Sequence, residues 1–121
     1  MIKILIAEDE RDIRELVGIT LEHNGYSVVS SADGLSALEM TASEHPDLVL
    51  LDVRMPRLDG YEVCRRIKAD PQLKHIPVIF LSAKGQEAEV QAGIDAGAQA
   101  YIRKPFSMSE LINQIQQTLG L

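Results

Sequence analysis

Three short apolar runs limit what this 121-residue chain can fold into. Ile2 to Ala7 is broken only by Lys3, and Leu48 to Leu51 and Val78 to Leu81 are unbroken. None shows the polar alternation of a strand with one wet face. A strand buried on both faces reads this way, and such strands belong to parallel sheets covered by helices on either side. Tyr26 to Val29 and Ala100 to Ile102 are weaker runs that would supply two more strands.

Helical spacing fills the intervals. Ile13, Leu16, Val17, Thr20 and Leu21 share one face, with Gly25 as a stop. Leu35, Leu38 and Ala42 form a second face, and Val63, Cys64 and Ile67 a third, closed by Asp70-Pro71. Met108, Leu111, Ile112, Ile115 and Leu119 make the clearest stripe, opened by the capping box Ser107-Met108-Ser109-Glu110. Gln86 to Ala96 is the poorest helix, since only Val90 and Ile94 are large and apolar. It is expected to be the least firmly docked element. The order is βα repeated five times, an α/β fold with one open parallel sheet and helices on both faces.

The length fits one domain over residues 1–121, and no output domain is expected beside it. A compact chain of this size buries roughly two-thirds of its extended surface, enough for a core without staples. The single cysteine, Cys64, excludes an internal disulfide framework and suits a reducing cytosol. No apolar run approaches the ~20 residues that cross a bilayer, and no signal peptide is indicated, so a cytoplasmic protein is expected. The net charge is −6. Residues 1–60 carry five Lys/Arg against twelve Asp/Glu, and the remainder seven against six, so no basic stripe for nucleic acid exists.

Polar residues fall where strands end. In open α/β sheets, ligands bind beyond the carboxyl ends of the strands. The first strand runs into Glu8 and Asp9, the third delivers Asp52, the fourth closes with Ser82, and the fifth leads to Lys104. Two like charges ~4 Å apart cost about 4 kcal/mol at an effective dielectric near 20. Three gathered carboxylates therefore take up a proton or hold a cation. An all-oxygen cluster with open positions suits Mg²⁺. Beside a hydroxyl and an ammonium, such a site fits phosphoryl transfer to Asp52 as nucleophile. Mg²⁺, Lys104 and Ser82 would each take one phosphoryl oxygen.

At these residues the chain resembles the receiver domain of bacterial two-component response regulators, including the stand-alone chemotaxis-type receivers. The likeness runs through Ile4 to Glu10, Pro46 to Pro56, Asp59-Gly60, Pro77 to Ala83, Gly97-Ala98 and Tyr101 to Phe106. It implies a flavodoxin-like sheet in the order 2-1-3-4-5. By the same resemblance, Asp52 is the phosphoacceptor charged by a sensor histidine kinase or phosphotransfer protein. Asp9 is the direct metal ligand, Glu8 its water-mediated companion, and Arg54 lends only its backbone carbonyl. Ser82 is the switch hydroxyl, Lys104 the phosphate-binding lysine, Tyr101 the switch aromatic, and the Lys104-Pro105 bond is cis. Arg54 and Lys84 stand where phosphoryl lifetime is tuned. A receiver of this kind is no enzyme on other substrates, promoting only its own phosphorylation and dephosphorylation. It meets a downstream target or output domain through the fourth helix, fifth strand and last helix, as a monomer that dimerises, if at all, when phosphorylated.

Other readings fit the residues less well. A haloacid-dehalogenase-like phosphatase needs a second acid two residues after the nucleophile, where Arg54 stands. A flavodoxin-type carrier would put Ser, Thr and Gly in the first βα loop, where Glu8-Asp9-Glu10 would repel a phosphate. A degenerate receiver would have lost an acid or the lysine, and both are present. Read singly, Glu8 to Glu10 could serve only as a helix N-terminal charge run, and Tyr101 as plain packing.

Overall fold

The pleat of five parallel strands sorts the apolar residues into two layers. The computed structural model describes residues 1–82 and 87–121, with 87–89 described by backbone alone. Strands β1 (Lys3–Ala7), β2 (Ser27–Ser31), β3 (Leu48–Asp52), β4 (Val78–Ser82) and β5 (Ala100–Arg103) alternate with five helices. These are α1 (Arg11–His23), α2 (Gly34–Glu44), α3 (Gly60–Ala69), α4 (Glu87–Asp95) and α5 (Met108–Leu119). The sheet order is β2-β1-β3-β4-β5, the flavodoxin-like winding, with every pair parallel.

Successive strand residues point to opposite faces. Ile4, Ile6, Leu48, Leu50, Ile79 and Leu81 pack with Val17 and Leu21 of α1 and Leu111 and Ile115 of α5. Leu5, Ala7, Val49, Leu51, Val78 and Phe80 pack with Ala37 of α2 and Val63, Cys64 and Ile67 of α3. Each such Leu or Ile contributes about 1.5–3 kcal/mol by leaving water. β3 and β4 are buried along their whole length, as their unbroken apolar runs require.

Helix rotation departs from the sequence pattern in three places. In α1, Leu16 is 54% exposed, and the buried positions are Val17, Gly18 and Leu21. Gly18 faces Ile6 and Val28, and Leu16 lies roughly 200° round the helix from it. In α2 the buried face is Gly34, Ala37 and Thr41, whereas Leu35 and Ala42 are exposed and Leu38 is half-buried. Small residues let α2 press onto the chain after β3, where a Cβ on Gly34 would lie 1.8 Å from the Leu58 carbonyl oxygen. The buried Thr41 hydroxyl is satisfied by donating to the Ala37 carbonyl at 2.8 Å. In α4, Ile94 is 53% exposed and Gly93 faces inward.

The helix ends follow local chemistry. Gly25 takes φ +87° just past α1, a conformation that glycine adopts without steric cost. Asp59 and Ser107 cap α3 and α5 by accepting from the amides of Glu62 (2.9 Å) and Glu110 (3.0 Å). Cys64 is core: its thiol donates to the Ala96 carbonyl at 3.3 Å, and burial pushes it up to about 11.

The two glycine types separate by urea denaturation. Gly34→Ala is expected to lose about 3 kcal/mol, because its methyl would overlap the Leu58 backbone. Gly25→Ala, with nothing within 4 Å of its added Cβ, is expected to lose only the roughly 1–2 kcal/mol of left-handed backbone strain. Equal losses would show that α2 can lift away freely.

Candidate functional site

Strand register brings the predicted site residues together at one edge. Ala7 is the register partner of Leu51, so Glu8 and Asp52 follow as neighbours one step beyond. Asp52 pairs with Leu81 and Ser82 with Arg103, which puts Ser82 and Lys104 next along the same edge. The ladder continues past the strand ends: the Glu8 amide donates to the Ser31 carbonyl at 3.0 Å and the Lys104 amide to the Ser82 carbonyl at 2.7 Å. The Lys104-Pro105 bond is cis.

The ammonium of Lys104 reaches both buried acids. Its Nζ donates to Glu8 Oε1 at 2.5 Å and lies 3.6 Å from Asp52 Oδ2. Asp52 Oδ1 accepts from the Val53 amide at 2.9 Å, and Glu8 Oε2 from the Glu10 amide at 3.2 Å. Glu8 is fully buried and Asp52 is 6% exposed, whereas Asp9 is open to solvent. One oxygen from each of Glu8, Asp9 and Asp52 lies within 4.8 Å of the other two. Hard carboxylate oxygens at this spacing, with one member open to water, fit a small divalent cation such as Mg²⁺.

The charge balance is visible in the acid–base properties. Glu8 is pushed up to about 7, first by burial and then by its hydrogen bond with Asp52, against the opposing pull of Lys104. Burial would lower Lys104, but the hydrogen bond to Glu8 and the charges of Asp52, Glu8 and Glu10 outweigh it and hold the ammonium above the usual lysine range. One lysine is therefore too little positive charge for the acids around it.

Other residues hold the site in shape. Gly60, at the start of α3, donates to the Val53 carbonyl at 2.8 Å, and a Cβ there would lie 2.2 Å from the Asp52 carbonyl oxygen. Only glycine lets α3 begin this close to the Asp52 backbone. Arg14, which the sequence reading missed, donates from Nη1 to the Glu8 carbonyl at 2.7 Å and to that of Asp9 at 3.4 Å. Its signal is spacing: one turn into α1, a long basic side chain can reach back to the loop before the helix.

The remaining predicted residues are placed as follows. Tyr101 projects from β5 against Phe80, with ring centroids 6.1 Å apart. Arg54 stands two residues past Asp52, its side chain exposed. Lys84 lies outside the described residues. Ser82 is 4% exposed at the end of β4.

A family model for the response regulator receiver domain matches residues 4–116. The chain belongs to the response regulator receiver domain family. The response regulator MprA of Mycobacterium bovis is 43% identical over 118 residues, covering 98% of this chain and 50% of that protein. The chain thus spans about half the length of the curated relatives it matches. Among solved structures, the chemotaxis protein CheY4 of Vibrio cholerae superposes with a TM-score of 0.91 at 32% identity, covering 97% of this chain and 98% of that one. The receiver domain of the sensor histidine kinase PA1611 of Pseudomonas aeruginosa also gives a TM-score of 0.91 at 32% identity, covering 98% of both chains. That structure carries a magnesium ion coordinated in its active-site cleft. This receiver domain is accordingly a component of two-component signalling.

Glu8 binds its proton more tightly in the folded chain, so its contribution to stability is complete below about 4.5 and is lost as pH rises through about 7. In metal-free buffer, stability is expected to fall between about pH 5 and pH 8 by on the order of 3 kcal/mol. Glu8→Gln is expected to flatten that fall in urea titrations. Parallel profiles for the two proteins would show that Glu8 is not the titrating group.

Proposed function

We propose that this receiver takes a phosphoryl group onto Asp52 from a sensor histidine kinase or phosphotransfer protein and switches its partner-binding surface in response. The observation that carries the reading is the buried Asp52 carboxylate held between the Lys104 ammonium and the acidic pair Glu8–Asp9. An Asp52 carboxylate oxygen attacks phosphorus in line. The donor's P–N bond breaks, and its electron pair leaves with the imidazole; with acetyl phosphate the broken bond is P–O and acetate leaves.

Asp9, Glu8, Asp52 and the Arg54 backbone carbonyl would hold Mg²⁺, which when bound neutralises charge on the transferring group. Lys104 stabilises a second oxygen of that group, and Ser82 donates its hydroxyl to a third. The amide of Val53, already directed at Asp52 Oδ1, keeps the acceptor oriented. Because positioning and charge neutralisation dominate phosphoryl transfer, these few groups suffice. The same groups serve hydrolysis, so the chain promotes its own phosphorylation and dephosphorylation and no other reaction.

The added phosphoryl group brings about −1.5 to −2 charge and strong acceptor oxygens. Ser82 satisfies one by moving toward it, and Tyr101 turns into the space behind. The face changed is that of α4, β5 and α5, where a cleft of about 640 Å³ is lined by Val90, Tyr101, Arg103, Asn113 and Gln117. Taking such an equilibrium from 1:99 to 99:1 needs about 5.5 kcal/mol. Two or three charge-assisted hydrogen bonds with metal coordination are of that order. The partner on this face is a downstream target or output domain, and kinase and target meet the receiver in the cytoplasm. No helix among the described residues is long and apolar enough to cross a membrane.

Intact mass after incubation with acetyl phosphate decides the matter. One phosphoryl mass is expected with Mg²⁺, and none without Mg²⁺ or in Asp52→Asn. Stoichiometric uptake by Asp52→Asn would sink the assignment of the acceptor. No uptake under any condition would favour a receiver that acts as a constitutive binding module.

A further inference from the structure

Three aromatic rings run across one face of the sheet beneath α3 and α4. Phe80, fully buried on β4, lies between Tyr61 of α3 at 5.4 Å and Tyr101 of β5 at 6.1 Å, measured between ring centroids. Phe80 and Tyr101 are register partners, so their rings stand side by side on the same face. Gly93, inside α4, sits directly on this pair. A Cβ there would lie 3.0 and 3.3 Å from Phe80 Cδ2 and Cε2, and 3.2 Å from Tyr101 Cδ2.

Glycine costs about 1 kcal/mol relative to alanine in a helix interior. Gly93 has no positive φ to justify that cost, so what it supplies is space. The two rings beneath it differ in burial. Phe80 is clamped by Tyr61 and by the core, whereas Tyr101 is half-buried at the sheet edge. Whatever narrows the gap under α4 therefore moves Tyr101 or α4 and leaves Phe80 in place.

We propose that Gly93 is a positioning residue that couples the seating of α4 to the orientation of the Tyr101 ring. The inference rests on the switch described above and names the contact that sets its resting balance. With a methyl at this position, the present packing of Tyr101 against α4 is crowded and the alternative orientation gains. Linkage then requires that the same change strengthen binding of the phosphoryl group that favours the alternative. Phe80 stands two residues before Ser82, and Tyr101 three before Lys104, so the packing layer and the site share the same two strands.

The test is calorimetric titration of the whole chain with beryllium trifluoride and Mg²⁺, a phosphoryl mimic that needs no turnover. Gly93→Ala is expected to tighten binding about fivefold, the low end of typical couplings between sites. In a Tyr101→Ala background, where the displaced ring is gone, the same substitution is expected to change affinity less than twofold. A merely structural role would alter the melting temperature and leave both affinities alone. Affinity unchanged or weakened by Gly93→Ala, or an equal gain with and without the Tyr101 ring, overturns the proposal. Should Gly93→Ala not fold, the comparison moves to a Phe80→Leu background, which opens room on the clamped side and keeps the Tyr101 contact. Tightening there of twofold or more supports the coupling, and no tightening overturns it. If the unmodified chain binds neither beryllium trifluoride nor acetyl-phosphate phosphorus, the switch reading itself fails; if it does bind, only the role of Gly93 is at stake.

Discussion

The ammonium of Lys104 between two buried carboxylates is the interaction on which the rest of the structure depends. Glu8, Asp9 and Asp52 set three negative charges against one positive, in surroundings that largely exclude water from two of them. Burial and the neighbouring Asp52 push Glu8 up to about 7, and Lys104 offsets them only in part. That excess of negative charge suits a divalent cation. A balanced cluster would be only a structural ion network, with no reason to bind anything further.

The fold serves to hold that imbalance still. Backbone ladders run past the ends of β1 and β5, pinning Glu8 and Lys104 by their amides. Arg14 ties down the carbonyls of the acidic turn. Gly60 lets α3 start against the backbone of Asp52. Two of the helices seated through glycine, α2 and α4, differ in tightness. Gly34 brings α2 within 1.8 Å, by added Cβ, of the Leu58 carbonyl oxygen, whereas Gly93 brings α4 within 3.0 Å of the Phe80 ring and 3.2 Å of the Tyr101 ring. By this measure α2 is seated more tightly than α4.

Much of this was legible in the residues. A strand buried on both faces has a local signature, so Leu48–Leu51 and Val78–Leu81 could be placed without knowing their neighbours, and β2 and β5 only approximately. Tyr26, read as the start of β2, is a buried residue just before it. Glu8, Asp9, Asp52, Ser82 and Lys104 could be placed at one edge because parallel winding gathers strand ends there, whatever the loop details. Helix faces were harder. Leu16, Leu35 and Ile94 are apolar and helically spaced yet exposed, because Gly18, Gly34 and Gly93 take the inward positions. Hydrophobicity counts favour leucine over glycine; close packing of a helix on a backbone or a ring favours the reverse.

Sequence alone therefore determined the α/β class, the edge at which the site lies and the residue types that compose it, since these follow from local periodicity and a winding rule. Tertiary structure decided which way each helix is rolled, that Lys104 bonds Glu8 more closely than Asp52, and that Tyr101 rests on Phe80. It also decided that burial and Asp52 raise the Glu8 carboxyl to about 7. The reason is range: periodicity is written in neighbouring residues, whereas burial, steric fit and electrostatic coupling depend on atoms brought together from distant parts of the chain. Lys104 and Glu8, ninety-six residues apart, meet only once the sheet has closed.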